Sequence, residues 1–344
     1  MKFDVIVGNP PYQLNDGGGT GSSASPLYDL FVAQAKKLNP RFLVMIVPSR
    51  WFSGGKGLDA FRTEMLNDKR VRNVVDYVDS RECFPGVDIA GGVCYFLWDR
   101  DNRGDCTVTH YCHGTRDVSV RPLNEFHTFV RSSISVAVIK KILSIHKGGF
   151  LVDIVASRNP FGLASRARPS KRGELILHWS GGKGPIPASQ VRAGHDLVKQ
   201  WKVLLSKASS DHGGQPDKRG MRRIFSRVEV LGPGEVCSES YLIVGSYSSR
   251  YEAENLATFL RTRFCRYLVS TILFTQNIAK DRFQFVPSMP MTRSWTDSAL
   301  YKAFGLTVEE FGHIESTIRP MEASDESRAG PGGVSELPDS TGVR

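Results

Sequence analysis

Asn9, Pro10, Pro11 and Tyr12 stand directly after the apolar run Val5-Ile6-Val7-Gly8. Their types and spacing suit work on a planar amino group conjugated to a ring. Such a nitrogen, as on adenine, is a poor nucleophile because its lone pair is delocalised. Two oxygens that accept hydrogen bonds from both amino hydrogens draw it toward tetrahedral geometry. The Asn9 side-chain carbonyl and the Pro10 main-chain carbonyl can supply both at one turn. The two prolines keep that turn rigid. A base reaching such a site must leave its stack, at a cost of roughly a few kcal/mol, and an aromatic surface offsets part of it. Tyr12 is placed for that stacking. No strong general base is needed, because the proton can leave after the nitrogen has bonded to an electrophile. Alone, the tetrad also fits an ordinary strand-ending turn.

The flanking pattern supplies elements to position these residues. Residues 3–8 read as a short buried strand that the prolines end. Residues 15–25 are Gly- and Ser-rich and read as a loop. A helix is expected over 26–38, with Leu27, Leu30, Phe31, Ala35 and Leu38 as its apolar positions. Further strands are expected over 42–47, 74–78 and 93–98, and a helix over 58–66. Alternation of this kind predicts an α/β, mostly parallel, doubly wound sheet. The pattern changes after about residue 115, to short mixed segments between loops rich in Gly, Ser, Lys and Arg. There, residues 241–244 read as a strand and 252–271 as one long amphipathic helix. Thr307 and Glu310 fit a capping box that opens a last helix to about Ile318. Residues 322–344 are polar and lack aromatics, so disorder is expected.

Charge is unevenly placed. Residues 1–100 hold 12 Lys/Arg against 11 Asp/Glu, whereas residues 101–320 hold 31 against 19. A basic field over the later part of the chain attracts polyanions, nucleic acid first among them. No apolar stretch approaches the roughly 18 residues that a membrane span needs, and the N-terminus carries no signal-peptide pattern. A cytoplasmic protein without membrane contact is expected. The six cysteines form no C-x-x-C pair and read as free thiols. Cys106, His110, Cys112 and His113 lie close in sequence, but their spacing matches no common zinc pattern, and no metal is expected.

A strand followed by Asn9-Pro10-Pro11-Tyr12 resembles the catalytic motif of amino-methyltransferases. The layout is similar to the gamma class of adenine-N6 DNA methyltransferases, especially the large methylases of bacterial type II restriction–modification systems. Phe42-Leu-Val-Met-Ile-Val-Pro48-Ser-Arg-Trp51 resembles the strand and turn that follow in that family, and Phe84-Pro85-Gly86-Val87, leading to Gly91–Phe96, resembles its later motif. The segments Glu239–Gly245, Thr275–Asp281, Phe285–Pro287, Trp295–Asp297 and Ile314–Pro320 are similar to the end of such methylases. The resemblance implies that Asn9, Pro10, Pro11 and Tyr12 form the catalytic turn. It also implies that Tyr12 and Phe84 stack on a flipped adenine from two sides, and that S-adenosylmethionine is the methyl donor. A core aromatic at a turn remains a nearly equal reading of Phe84.

By this reading residues 1–115 form the later half of a methyltransferase catalytic domain and 116–290 a target-recognition region of α+β type. Residues 291–321 form a helical C-terminal segment, and 322–344 a tail. Double-stranded DNA is the expected partner. Arg166, Arg168, Lys171, Arg172, Arg219, Arg222 and Arg223 are candidates for phosphate contacts. Gln276, Asn277, Lys280 and Arg282 are candidates for bases or backbone. For each the bland alternative is a solvated surface group.

The donor-binding part of such a fold is its first strand, the glycine-rich turn after it and an acidic residue after the second strand. In the resembling family these precede the Asn-Pro-Pro-Tyr turn. Here eight residues precede Asn9, so only the later strands of the sheet are expected. The glycines Gly17, Gly18, Gly19 and Gly21 follow the turn and read as a loop over the DNA site. Either a second polypeptide supplies the donor-binding half or the chain is a truncated fragment. A cognate restriction endonuclease is a further expected partner. Two other readings stay open: a non-catalytic DNA-binding specificity subunit or remnant, and a protein glutamine-N5 methyltransferase. The long basic region argues against the second.

Overall fold

The computed structural model describes residues 3–13, 25–55, 57–209, 216, 217 and 219–321. The expected glycine-rich loop after Tyr12 and the expected disordered tail lie almost wholly outside the described residues.

The chain opens with β1 (Val5–Gly8), which stops where the two prolines remove their donors. Helix α1 (Tyr28–Lys37) follows and ends at Asn39, whose φ of 51° is left-handed, just before Pro40. Strand β2 (Phe42–Pro48), helix α2 (Asp59–Asn67) and the strands β3 (Val71–Tyr77), β4 (Val93–Asp99), β5 (Cys106–Cys112) and β6 (Thr115–Arg121) complete the first part. These strands form one sheet in the order β1-β2-β4-β3-β5-β6. Strands β1 and β2 pair in parallel, as do β3 and β5, while β4 runs antiparallel between β2 and β3, and β6 antiparallel to β5. The sheet is therefore mixed rather than mostly parallel. The short link from β3 through the Phe84 turn returns the chain directly as an antiparallel neighbour, with no crossover helix between. The sheet runs to Arg121, beyond the expected boundary at 115.

The two faces of this sheet differ. One carries Leu43, Met45, Val47, Val74, Cys94, Phe96, Trp98, Cys106 and Val108, all buried. Helix α1 packs on this side, burying Tyr28, Val32 and Ala35; Tyr28 meets Phe61 of α2 edge-on at 5.9 Å. The other face, read through the strand registers, carries Val5 and Val7, then Phe42, Val44 and Ile46, then Tyr95, Leu97, Val75, Tyr77, Tyr111, Val118 and Val120. Each of these is exposed or half-buried, with Val7 at 72% and Val120 at 69%. Across it Tyr77 stacks on Tyr111 at 4.8 Å. Among the described residues no strand pairs with the free edge of β1. Helix α1 also turns Leu30, Phe31 and Leu38 outward. These three were expected in its apolar face. Tyr28 and Val32, packed among the aromatics around Trp51 and Phe61, take the buried side instead.

The later part starts with α3 (Ser133–Ile145) and the short turn α4 (Leu151–Ile154). Strands β7 (Leu175–Trp179) and β8 (Gly182–Ile186), the turn α5 (His195–Val198), and strands β9 (Trp201–Ser206), β10 (Val228–Leu231), β11 (Glu235–Cys237) and β12 (Tyr241–Tyr247) follow. They form two three-stranded sheets, β10-β9-β12 and β11-β7-β8. Helices α6 (Arg250–Arg261), α7 (Arg263–Ser270), α8 (Asp297–Ala303) and α9 (Val308–Thr317) close the described chain. The single helix expected over 252–271 is two. Thr262 takes extended backbone and its hydroxyl accepts from Cys265 N–H at 3.1 Å. The Asp297 carboxylate accepts from Arg263 N–H and Phe264 N–H at 3.1 and 2.8 Å. Those bonds satisfy the open N-terminus of α7 and stabilise the break. The expected capping box at Thr307 and Glu310 is present with both halves.

One hydrophobic core joins the six-stranded sheet to α3, α6, α7, β9 and β12 and reaches Ile318. A second, smaller one lies around Phe161, Leu177, Val236 and Ile243. Among the described residues no helix is long and apolar enough to cross a membrane.

Candidate functional site

Asn9 sits exposed at the C-terminal end of β1, Pro10 is buried behind it, and Tyr12 is half-buried. The turn is pinned from its far side. The Tyr12 carbonyl accepts from Leu27 N–H at 3.2 Å, and Gln13 bridges Pro26. The Tyr12 hydroxyl is buried without a hydrogen-bond partner. Burial, then the nearby Cys83 and Cys94, push it up to about 12. Tyr12 therefore stays neutral. Cys83 precedes Phe84, so the Phe84 loop approaches the same place. Phe84 is half-buried in a turn where its N–H donates to Ser80 O at 2.7 Å. The Ser80 hydroxyl donates to Val87 O and accepts from Ile89 N–H, both at 2.8 Å.

Behind these residues lies a polar group that the sequence reading missed. Asp76 of β3 is fully buried. Its carboxylate accepts from the Ser49 hydroxyl at 2.7 Å, meets His110 Nδ1 at 2.9 Å and lies 2.9 Å from Arg131 Nε. Burial acts to raise the Asp76 carboxyl, but Arg131, His110 and Ser49 outweigh it and hold it below the usual range. Burial likewise acts to lower His110, and the bonds to Asp76 and Cys112 raise it. His110 is thus committed to a carboxylate partner. An acid inside the apolar strand Val74-Val75-Asp76-Tyr77-Val78 was the available signal.

The expected DNA contacts fall into separate groups. A cleft of about 980 Å³ is lined by Arg158, Lys207, Gln276, Asn277 and Lys280, among others. A second, of about 700 Å³, shares Arg158, Gln276, Asn277 and Ala279 with it and reaches Arg50, Gly54 and Gly91. Together they form one groove from the end of β2 to the smaller sheets. Gln276, Asn277 and Lys280 are exposed along it. Arg282 touches the groove, but its Nη1 donates to Ile272 O at 2.9 Å and it is largely buried. Arg166, Lys171 and Arg172 are exposed on the loop before β7. Arg168 stacks on Trp179 at 4.3 Å and donates to Ser165 O and Ala167 O, so its guanidinium is partly engaged locally. Arg219 is exposed; Arg222 and Arg223 are half-buried. The main chain of Arg222 is tied to the end of the last helix, its N–H donating to Thr317 O at 2.8 Å and its carbonyl accepting from Arg319 N–H at 2.9 Å. Arg158, Lys207 and Arg50 were not singled out in the sequence. Arg158 is highly exposed and pairs with Glu239 at 2.7 Å.

Known proteins bear on this arrangement. Residues 1–84 match the family model described as Eco57I restriction-modification methylase. An uncharacterized adenine-specific methylase of Mycoplasma pneumoniae is 40% identical over 110 residues, covering 31% of this chain and 26% of that protein. The chain thus spans about a quarter of that relative. Among solved structures, the type IIL restriction-modification enzyme MmeI in complex with DNA aligns over 82% of this chain and 46% of its own, at 8% identity and a TM-score of 0.46. The type IIG restriction endonuclease BpuSI aligns over 88% and 48%, at 12% identity and a TM-score of 0.35. Residues 1–84, which hold the Asn9–Tyr12 turn and Phe84, are thus similar to the Eco57I restriction-modification methylase family.

Proposed function

We propose that this chain supplies the acceptor side of a site-specific adenine-N6 DNA methyltransferase of a restriction–modification system. The observation that carries this is the Asn9–Tyr12 turn, held at the C-terminal end of a parallel strand with Asn9 exposed. Ligands of open α/β sheets bind at that end of the strands. The Asn9 carboxamide oxygen and the Pro10 carbonyl accept from the adenine amino group, and Tyr12 and Phe84 flank the ring. The groove along Gln276, Asn277 and Lys280 takes the duplex, with Arg158 and Lys207 beside phosphates.

S-adenosylmethionine is the donor that the methylase family uses. The described residues do not fit it by themselves, because no strand lies beyond β1 to carry a donor-binding turn. The free edge of β1 and the uncovered sheet face meet at the exposed Val5 and Val7. We assign that surface to a donor-binding segment that extends the sheet and lays helices on its bare face, since an open edge beside exposed valines and tyrosines leaves backbone groups and apolar area for a partner to cover. The same surface favours a second reading, in which the chain keeps DNA binding without catalysis.

The deciding measurement is tritiated methyl transfer from S-adenosylmethionine to mixed-sequence DNA. The chain is assayed alone and with the N-terminal segment of an adenine-specific methylase relative. Transfer that requires the added segment and falls at least about a hundredfold in Asn9→Ala supports the first reading. No transfer, with salt-sensitive DNA binding intact, supports the second.

A further inference from the structure

Arg131 lies between β6 and α3, where the two parts of the chain meet. Its Nε faces the buried Asp76 carboxylate at 2.9 Å. Its Nη2 donates to Gly91 O, on the loop that carries Phe84. Its guanidinium lies over the Phe274 ring at 4.5 Å and the Phe52 ring at 5.4 Å. Phe274 leads directly into Thr275, Gln276 and Asn277, which line the groove. Gly91 touches this segment closely: with φ at 89°, an added Cβ would stand 2.8 Å from Phe274 O. One planar cation thus joins the sheet, the Phe84 loop and the groove wall. Lysine cannot copy this, because a point charge on a flexible stem does not stack and fork at once.

We infer that Arg131 is a positioning residue that locks the Phe84 loop to the recognition segment, so that DNA seated on Gln276 and Asn277 also orders the base-stacking loop. This rests on the DNA reading above. Its remaining neighbours serve the same joint. Asp76 fixes the guanidinium from the sheet side, and Ser49 and His110 fix Asp76.

Hydrogen exchange read by mass spectrometry, on the full chain with and without mixed-sequence duplex DNA at low salt, tests it. In the wild type, DNA slows exchange over both 274–281 and 84–92. In Arg131→Lys, slowing over 274–281 remains while that over 84–92 falls at least severalfold. Gly91→Ala, which breaks the joint from the loop side with Arg131 intact, gives the same pattern and serves if Arg131→Lys is poorly folded. A loop that responds to DNA equally in wild type and both variants overturns the coupling while leaving DNA binding in place. A wild type with no DNA-dependent slowing anywhere overturns the DNA reading, and this inference with it.

Discussion

At the scale of single residues, chemistry and stability use different side chains. Asp68 does none of the proposed chemistry, yet it ties the end of α2 to α1 and β4. Its carboxylate accepts from Arg70 Nε at 2.7 Å, from Lys36 Nζ at 3.1 Å and from Trp98 Nε1 at 2.8 Å. Burial acts to raise this carboxyl, but Arg70, Lys36 and Trp98 outweigh it and hold it well below the usual range. Asp68→Asn removes the charge that three donors face, and should cost about 3 kcal/mol in urea denaturation at pH 7. A depressed folded pKa gives stability that is fully present above the unfolded value of about 4 and is lost as pH falls through the folded one. The gap between wild type and variant should therefore stay constant from pH 8 to 5 and close below about 4. A gap that persists at the acid end would assign the loss to packing instead. The Asn9–Tyr12 turn could be proposed from sequence because its groups lie in four consecutive residues. The knots at Asp68 and Asp76 were not, because their partners come from distant segments that only the fold brings together.

At the scale of elements, the joint between β3 and β4 carries the Phe84 loop. Local patterning showed the strands, but not their order. Whether β4 lies beside β2 or beyond β3 depends on pairing energy across the sheet, which no local period encodes. The break between α6 and α7 was hidden for a related reason. The apolar spacing runs through it unbroken, and Asp297, which stabilises the second N-terminus, is far along the chain. At the β4 entry, Gly92 has φ at 85°, and an added Cβ would lie 2.1 Å from Tyr77 O. Its carbonyl also accepts from Ser49 N–H at 3.0 Å. Gly92→Ala combines backbone strain with a clash against main chain and should cost about 3 kcal/mol or more. Gly86→Ala is the control. Its φ is 81°, but nothing stands within 4 Å, so only strain of about 1 kcal/mol remains. Equal losses in the two variants, measured by urea denaturation, would show that the contact with Tyr77 is not the cause.

At the scale of the whole molecule, the uneven sheet decides the behaviour of the chain. Its covered face anchors one large core that also holds α3, α6 and α7, so the fold does not depend on the bare face for stability. That face and the free edge of β1 nevertheless present valines and tyrosines to water, with edge N–H and C=O groups beside them. Covering one exposed valine side chain is worth about 1.5 kcal/mol or more, so several together favour association with whatever chain is at hand. Without a donor-binding segment, the wild-type protein should self-associate with rising concentration in sedimentation velocity. Replacing Val5 and Val7 by lysine together should shift it toward monomer and leave the thermal midpoint nearly unchanged, because neither side chain belongs to the core. The same double variant should lose the methyl transfer restored by an added donor-binding segment, while mixed-sequence DNA binding stays intact, since the groove lies elsewhere. Restored transfer at the wild-type level in that variant would mean that the segment docks on another surface, and that the bare face is covered by something unrelated to the reaction.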